Sequence, residues 1–173
     1  MTSLVLTVIG PDRPGLVEAL SEAIADHGAN WLESRMSRLE GRFAGLLHVN
    51  IPEANADDLT RALEELRAHG LRVTAQASEP ALVAAETRPL RLELVGQDHP
   101  GIIRQLSHAL AERQVNVDEL ETSVTSAPMS GEALFRARAS LRVPGSIRLE
   151  ELRETLEKIA NELMIDLSLD DSD

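Results

Sequence analysis

Residues 10–30 read GPDRPGLVEALSEAIADHGAN, and residues 96–116 read GQDHPGIIRQLSHALAERQVN. Laid over each other at a constant offset of 86, without a gap, they share nine of 21 positions: Gly10/Gly96, Asp12/Asp98, Pro14/Pro100, Gly15/Gly101, Leu20/Leu106, Ser21/Ser107, Ala23/Ala109, Ala25/Ala111 and Asn30/Asn116. Unrelated segments of this length share about one or two. Most remaining positions exchange like for like, as in Ile24/Leu110 and Asp26/Glu112. The chain is therefore an internal duplication, and each copy must carry the same order of elements.

That order follows outward from the repeat. Before it, Leu4–Ile9 and Leu90–Val95 alternate apolar with variable residues, so Leu6 and Leu92 face a core and Thr7 and Glu93 face away, as in a half-buried strand. After the D-x-P-G turn, Leu16, Leu20 and Ile24, and likewise Ile102, Leu106 and Leu110, recur every four residues on one helix face. Pro14 and Pro100 are expected at the first helical position, where a missing N–H costs nothing. Two strands follow in each copy, 30–39 with 42–51 and 116–126 with 134–143. The pair Glu40-Gly41 makes a short hairpin turn in the first copy, and 127–132 make a longer one in the second. A second helix carries Leu59, Leu63 and Leu66, or Leu149, Leu152, Leu156, Ile159 and Leu163; a last strand spans 71–77 or 164–169.

The pattern is βαββαβ twice, an α+β chain of two ferredoxin-like units in tandem, with antiparallel sheets and helices on one face. The expected division is a first domain over 1–80, a linker at 81–89 within SEPALVAAETRP, a second domain over 90–169, and a frayed acidic tail at 170–173. Units of about 75–85 residues have small private cores, and each sheet has exposed edges. The copies are expected to pack together and the chain to form a homodimer.

Composition removes several function classes. The chain holds 29 acidic and 17 basic residues, a net charge of −12, shared as −6 in 1–86 and −6 in 87–173. Such a chain repels phosphate backbones, so no direct nucleic-acid partner is expected. Relatives of this fold that bind RNA stack bases on aromatic residues of the central strands; here those strands offer Phe43 and Phe135, and tyrosine is absent. Without cysteine there are no disulfides, thiol catalysis or thiolate metal sites. The amino-terminal residues carry no basic segment followed by a long apolar stretch, and no apolar run approaches the roughly 20 residues of a membrane helix. A cytoplasmic protein with no membrane partner is expected.

Catalytic and metal signatures are equally thin. Of five histidines, only His108 shares a helix face with a candidate ligand, Glu112, and two ligands do not make a metal site. Asp57-Asp58 sits at a helix start, where acids favour the dipole. Neither a nucleophile elbow nor a phosphate loop occurs. No catalytic residue, metal or cofactor is assigned. Arg136, Arg138 and Arg142 alternate with apolar residues on one strand, which puts them on one sheet face; they either balance nearby acids or meet an acidic partner surface.

The remaining candidates are the two strand-to-helix turns. A helix N-terminus presents free N–H groups and partial positive charge, which suits a carboxylate. Gly15 and Gly101 lack a Cβ and let a small ligand approach the backbone. Asp12 and Asp98 suit a ligand ammonium, or else stabilise the helix end. Because the residue before proline avoids the helical region, Arg13 and His99 fit the N-cap better than the aspartates. Asn30 and Asn116 open the second strand of each copy, where asparagine also serves as a turn residue.

A strand ending in Gly, then D-[RH]-P-G, an apolar helix and an Asn opening the next strand: in these residues the sequence resembles the ACT domain, a small-molecule regulatory module. Two such domains without an attached enzyme or DNA-binding segment resemble the glycine cleavage system transcriptional repressor family. The resemblance implies a non-enzymatic regulator that binds glycine or a similar small amino acid and acts by protein contact with a DNA-binding transcriptional activator. It implies ligand contacts at Asp12, Arg13, Pro14, Gly15 and Asn30, and at Asp98, His99, Pro100, Gly101 and Asn116, commonly where two domains meet. The first position is often Asn in ligand-binding members. A carboxylate there holds an ammonium but repels a ligand carboxylate. Two alternatives stand beside this: a ligand-free structural interaction module, and an accessory regulatory subunit of an enzyme of amino-acid or folate metabolism.

Overall fold

The computed structural model describes residues 1–78 and 86–172. The chain divides into two compact units, Met1–Ala81 and Leu82–Asp173. In the first, the strands are β1 (Thr2–Pro11), β2 (Asn30–Leu39), β3 (Arg42–Ile51) and β4 (Arg72–Ala77), with helices α1 (Leu16–Asp26) and α2 (Ala56–Glu65). In the second they are β5 (Thr87–Gln97), β6 (Asn116–Ser126), β7 (Ala133–Pro144) and β8 (Ile165–Asp171), with α3 (Ile102–Glu112) and α4 (Leu149–Leu163). Each unit is βαββαβ, with one antiparallel sheet in the order β2-β3-β1-β4 or β6-β7-β5-β8.

Alternation along the central strands decides which sheet face the helices cover. Leu4, Leu6 and Val8 of β1, and Leu47, Val49 and Ile51 of β3, are buried against Leu16, Leu20 and Ile24 of α1 and Leu59 and Leu63 of α2. Unit two repeats this with Leu90, Leu92 and Leu94, Ala137, Ala139, Leu141 and Val143, Ile102, Leu106 and Leu110, and Leu152 and Leu156. The intervening strand residues form an open face. Phe43, Phe135 and Trp31 all pack beside the cores, so the open faces carry no aromatic platform for stacking bases.

Local chemistry explains the turns. Glu40 and Gly41 both have positive φ, 46° and 73°, the two-residue geometry that follows strand twist. Both helix starts differ from the expectation that proline is the first helical residue. The N-caps are Gly15 and Gly101, at φ 91° and 99°, and the helices begin at Leu16 and Ile102. Their carbonyls accept from the Ala19 and Gln105 amides at 3.0 Å in each case. Only glycine adopts this left-handed backbone without strain, which moves the start past the proline and leaves Arg13 and His99 outside the helix.

Two boundaries also differ. Residues 81–85 of the expected linker lie outside the described residues, but Thr87–Pro89 belong to β5, opposite Arg142–Pro144. Of the expected tail, Asp170 and Asp171 extend β8 against Arg91 and Leu90, and Arg88 holds Asp171 at 2.6 Å. Unpaired β5 backbone and a nearby arginine recruit what composition alone marks as loose; Asp173 lies outside the described residues.

The glycine that precedes each turn is fixed by packing. A Cβ on Gly96 would overlap the Ile165 side chain and lie 2.9 Å from its Cα; one on Gly10 would lie 3.1 Å from the Gly70 carbonyl oxygen. Gly96→Ala is expected to destabilise unit two by about 1–3 kcal/mol, in the range for overpacking. Chemical denaturation of the variant against the parent chain checks this, and an unchanged midpoint would contradict the packing account.

Candidate functional site

The two D-x-P-G turns hang from the ends of central strands β1 and β5. The Asp12 amide donates to the Gly41 carbonyl at 2.9 Å, and the Asp98 amide to that of Ala133 at 2.9 Å. Each aspartate is thereby held where the second and third strands of its sheet meet. Neither aspartate caps the following helix: the N-caps are glycines, and among the described residues the Asp12 carboxylate bonds only Arg38 while that of Asp98 makes no hydrogen bond. The first-turn N–H groups of α1 and α3 lack the side-chain acceptor usual at this position. Around the Cβ positions of Gly15 and Gly101 nothing lies within 4 Å. An uncapped helix end therefore opens onto free space in each unit.

The aspartates differ in their surroundings. Asp12 accepts from Arg38 Nη1 at 3.4 Å across an exposed gap. The Asp98 carboxylate makes no hydrogen bond or ion pair among the described residues. Strand register explains the asymmetry: Arg38 stands opposite Phe43, and the position opposite Phe135 in unit two is Val124. Arg38 did not emerge from the sequence. Its proximity follows only once Phe43 is set opposite both Arg38 and Gly10, two residues before Asp12. A cation there offsets the repulsion between the Asp12 carboxylate and a ligand carboxylate.

Arg13 and His99 turn to the far end of the second helix of their units. His99 Nε2 lies 3.3 Å from the carbonyl of Leu163, the last residue of α4, and Nδ1 lies 3.2 Å from the Pro100 carbonyl. The Arg13 guanidinium lies over Gly70, at the end of the 3-10 turn Leu66–His69 that follows α2; a Cβ on Gly70 would sit 3.3 Å from Arg13 Nη2. His99 thus reaches the C-terminus of α4, and Arg13 lies beside the end of the 3-10 turn that follows α2. Pro14, Gly15, Pro100 and Gly101 are exposed beside them.

Asn30 and Asn116 are not brought to these turns. Asn30 stands opposite Asn50, whereas Asp12 is held by Gly41 at the opposite end of β3. Eight residues of strand separate Asn50 from Arg42, roughly 26 Å at strand rise. Asn116 likewise stands opposite Arg142, and its amide donates to Asp118 Oδ1 at 2.6 Å, which also receives Arg142 Nε at 2.8 Å. Within one unit, no small amino acid reaches both clusters.

Among the described residues no cluster of three or more potential ligands from His, Asp and Glu could hold a metal ion. His108 and Glu112 form an exposed helix-face pair at 3.5 Å. No helix of the described residues is long and apolar enough to cross a membrane. Because the aspartates do not cap, Asp98→Ala is expected to change stability by less than about 1 kcal/mol, the scale of a charge near a helix end. A larger loss on thermal denaturation would give Asp98 a structural role.

Comparison with known proteins places this geometry in a family. ACT domains match residues 2–77 and 90–161. A solved structure of an unknown protein from Galdieria sulphuraria is 30% identical, with a TM-score of 0.89 over 99% of both chains. A UPF0237 protein of Methanopyrus kandleri is 39% identical over 72 residues, which are 38% of this chain and 80% of the relative. A solved structure of a candidate glycine cleavage system transcriptional repressor is 21% identical, with a TM-score of 0.69 over 98% of this chain and 96% of its own; at that identity the likeness is one of fold. Duplicated βαββαβ units, each with a glycine-capped helix behind a D-x-P-G turn, and two matches to one domain type lead to one statement: the chain belongs to the ACT domain family and carries two ACT domains in tandem.

Proposed function

We propose that this chain is a non-enzymatic regulator that binds glycine or a similar small amino acid at its strand-to-helix turns. The observation that carries the reading is the start of α1 and α3 at Gly15 and Gly101, with nothing within 4 Å of either glycine's Cβ position and an aspartate three residues earlier, its backbone held by the hairpin. The helix end suits the ligand carboxylate and the aspartate suits its ammonium. In unit one Arg38 adds a second carboxylate anchor; unit two has Val124 there, so the two turns should differ in affinity. Asn30 and Asn116 lie at the other end of their sheets and add no contact to a ligand held at the turn of the same unit.

Ligand shifts a regulatory equilibrium only by preferring one of two states. The readout is a protein contact with a DNA-binding transcriptional activator, made by a cytoplasmic homodimer. Likeness of fold to the candidate repressor supports that assignment. Long edge strands β2 and β6, with most residues exposed, support self-association.

Thermal denaturation in the presence of each common amino acid, glycine and serine first, tests the reading. Ligand at 100 times Kd should add about 2.7 kcal/mol, several degrees for a protein of this size. The double variant Asp12→Ala, Asp98→Ala should lose most of that shift while staying folded. An undiminished shift in the double variant would remove the turns as the site, and no shift with any amino acid would leave a ligand-free interaction module.

A further inference from the structure

The open face of unit two carries a second polar constellation, which begins one rung of the sheet before the turn, at Val95–Arg136 beside Gly96–Phe135, and differs from it in chemistry. Backbone register places Arg138 between Glu93 of β5 and Glu121 of β6, and Arg136 between Val95 and Ser123. These six residues line an open cavity of about 180 Å³. Arg138 Nε approaches Glu93 Oε1 at 3.7 Å, with both side chains about half or more exposed. Such a pair is worth about 0–1 kcal/mol and reopens easily. Arg136 has no acid opposite it on either neighbouring strand, and neither Arg136 nor Glu121 makes an ion pair among the described residues. The third arginine, Arg142, is already held by Asp118 at 2.8 Å.

The duplication sharpens the point. Glu93–Arg138 in unit two corresponds to Thr7–Leu46 in unit one, and Val95–Arg136 corresponds to Ile9–Ala44. Core positions keep their apolar character between copies, because both sheets must bury the same face. The open face has no such constraint, and there unit two sets Arg136, Arg138, Glu93 and Glu121 around one cavity, where unit one has Ala44, Leu46, Thr7 and Arg35. The arginine stripe is no uniformly basic patch: Glu119, Glu121, Asp166 and Asp170 share its face. That mixture disfavours an acidic macromolecule and suits a small molecule that carries both charges.

We propose that this cavity is a second ligand site, for a small molecule bearing a carboxylate and an ammonium a few atoms apart. Arg136, with the Ser123 hydroxyl, takes the carboxylate; a guanidinium presents paired donors in the plane a carboxylate needs. Glu121, diagonal to Arg136 across adjacent strands and so about 7–8 Å away at Cα, takes the ammonium. Arg138 stands between them and exchanges its loose contact with Glu93 for the ligand. The site does not depend on binding at the D-x-P-G turns.

The test is NMR of the full chain labelled with nitrogen-15, titrated with each common amino acid and, as single-charge probes, with acetate and methylammonium. An amino acid is expected to shift the Arg136 and Arg138 Nε–Hε resonances and the Ser123 amide. Arg136→Ala should weaken that response about ten-fold or more, the scale of hydrogen bonds to a charged group, and Glu121→Gln should weaken it while leaving the response to acetate. Arg142→Ala, on the same strand but outside the cavity, and Asp98→Ala, at the turn, should leave it unchanged. Both arginines are exposed, so these variants should keep the parent fold, checked by amide spectra. No shift with any amino acid, a response that survives Arg136→Ala, or equal binding of acetate alone would each overturn the proposal. Because Asp12→Ala and Asp98→Ala act only at the turns, loss of one site is distinguishable from loss of the other.

Discussion

Each unit depends on burying one face of a four-stranded sheet under two helices. The central strands impose this: β1 and β5 are paired on both sides, so their alternate leucines have only the helices to pack against. Everything at the turns follows. The helix must leave the end of the central strand, reverse direction and lay Leu16 or Ile102 onto the core within a few residues. A glycine N-cap with positive φ makes that reversal, and its preceding partner, Gly10 or Gly96, lets the second helix and last strand close against the strand end. What resembles a recognition motif is first a solution to a packing problem.

That solution has a chemical by-product. A glycine N-cap has no side chain to offer the first-turn amides, and the aspartate three residues earlier is held by its own backbone bond to the hairpin. Donors are left facing open space beside a carboxylate. His99 contributes indirectly, by its contact with the Leu163 carbonyl at the end of the second helix, and Arg13 lies beside the equivalent end at Gly70. Adjacent residues of the turn thus have separate structural tasks, and a substitution at Asp98 should be separable from one at Gly96.

The two copies show where selection for packing ends. Apolar residues of the sheet interior occupy matching positions, though not always as the same residue type, and the edge strands even repeat the same one-residue irregularity, between Trp31 and Glu33 and between Val117 and Glu119. Around the turns, Arg38 has become Val124 and Arg13 has become His99. On the open faces, Ala44 and Leu46 stand where unit two has Arg136 and Arg138. Differences of function between the units belong to these unburied positions.

The sequence by itself determined the duplication, the βαββαβ order, and the bounds of β2, β3 and β6, because period-two and period-four apolar spacing and the Glu40-Gly41 turn are local signals. It also singled out the D-x-P-G turns as candidate sites. Only tertiary structure decided what those turns contain. Helix starts depended on glycine dihedrals, and the ends of β5 and β8 on which backbone remained to be paired. The separation of Asp12 from Asn30, the approach of Arg38 to Asp12 and the gathering of Glu93, Glu121 and Arg136 all come from strand register. Register sets neighbours by hydrogen bonding between segments distant in sequence, and no spacing along the chain records it.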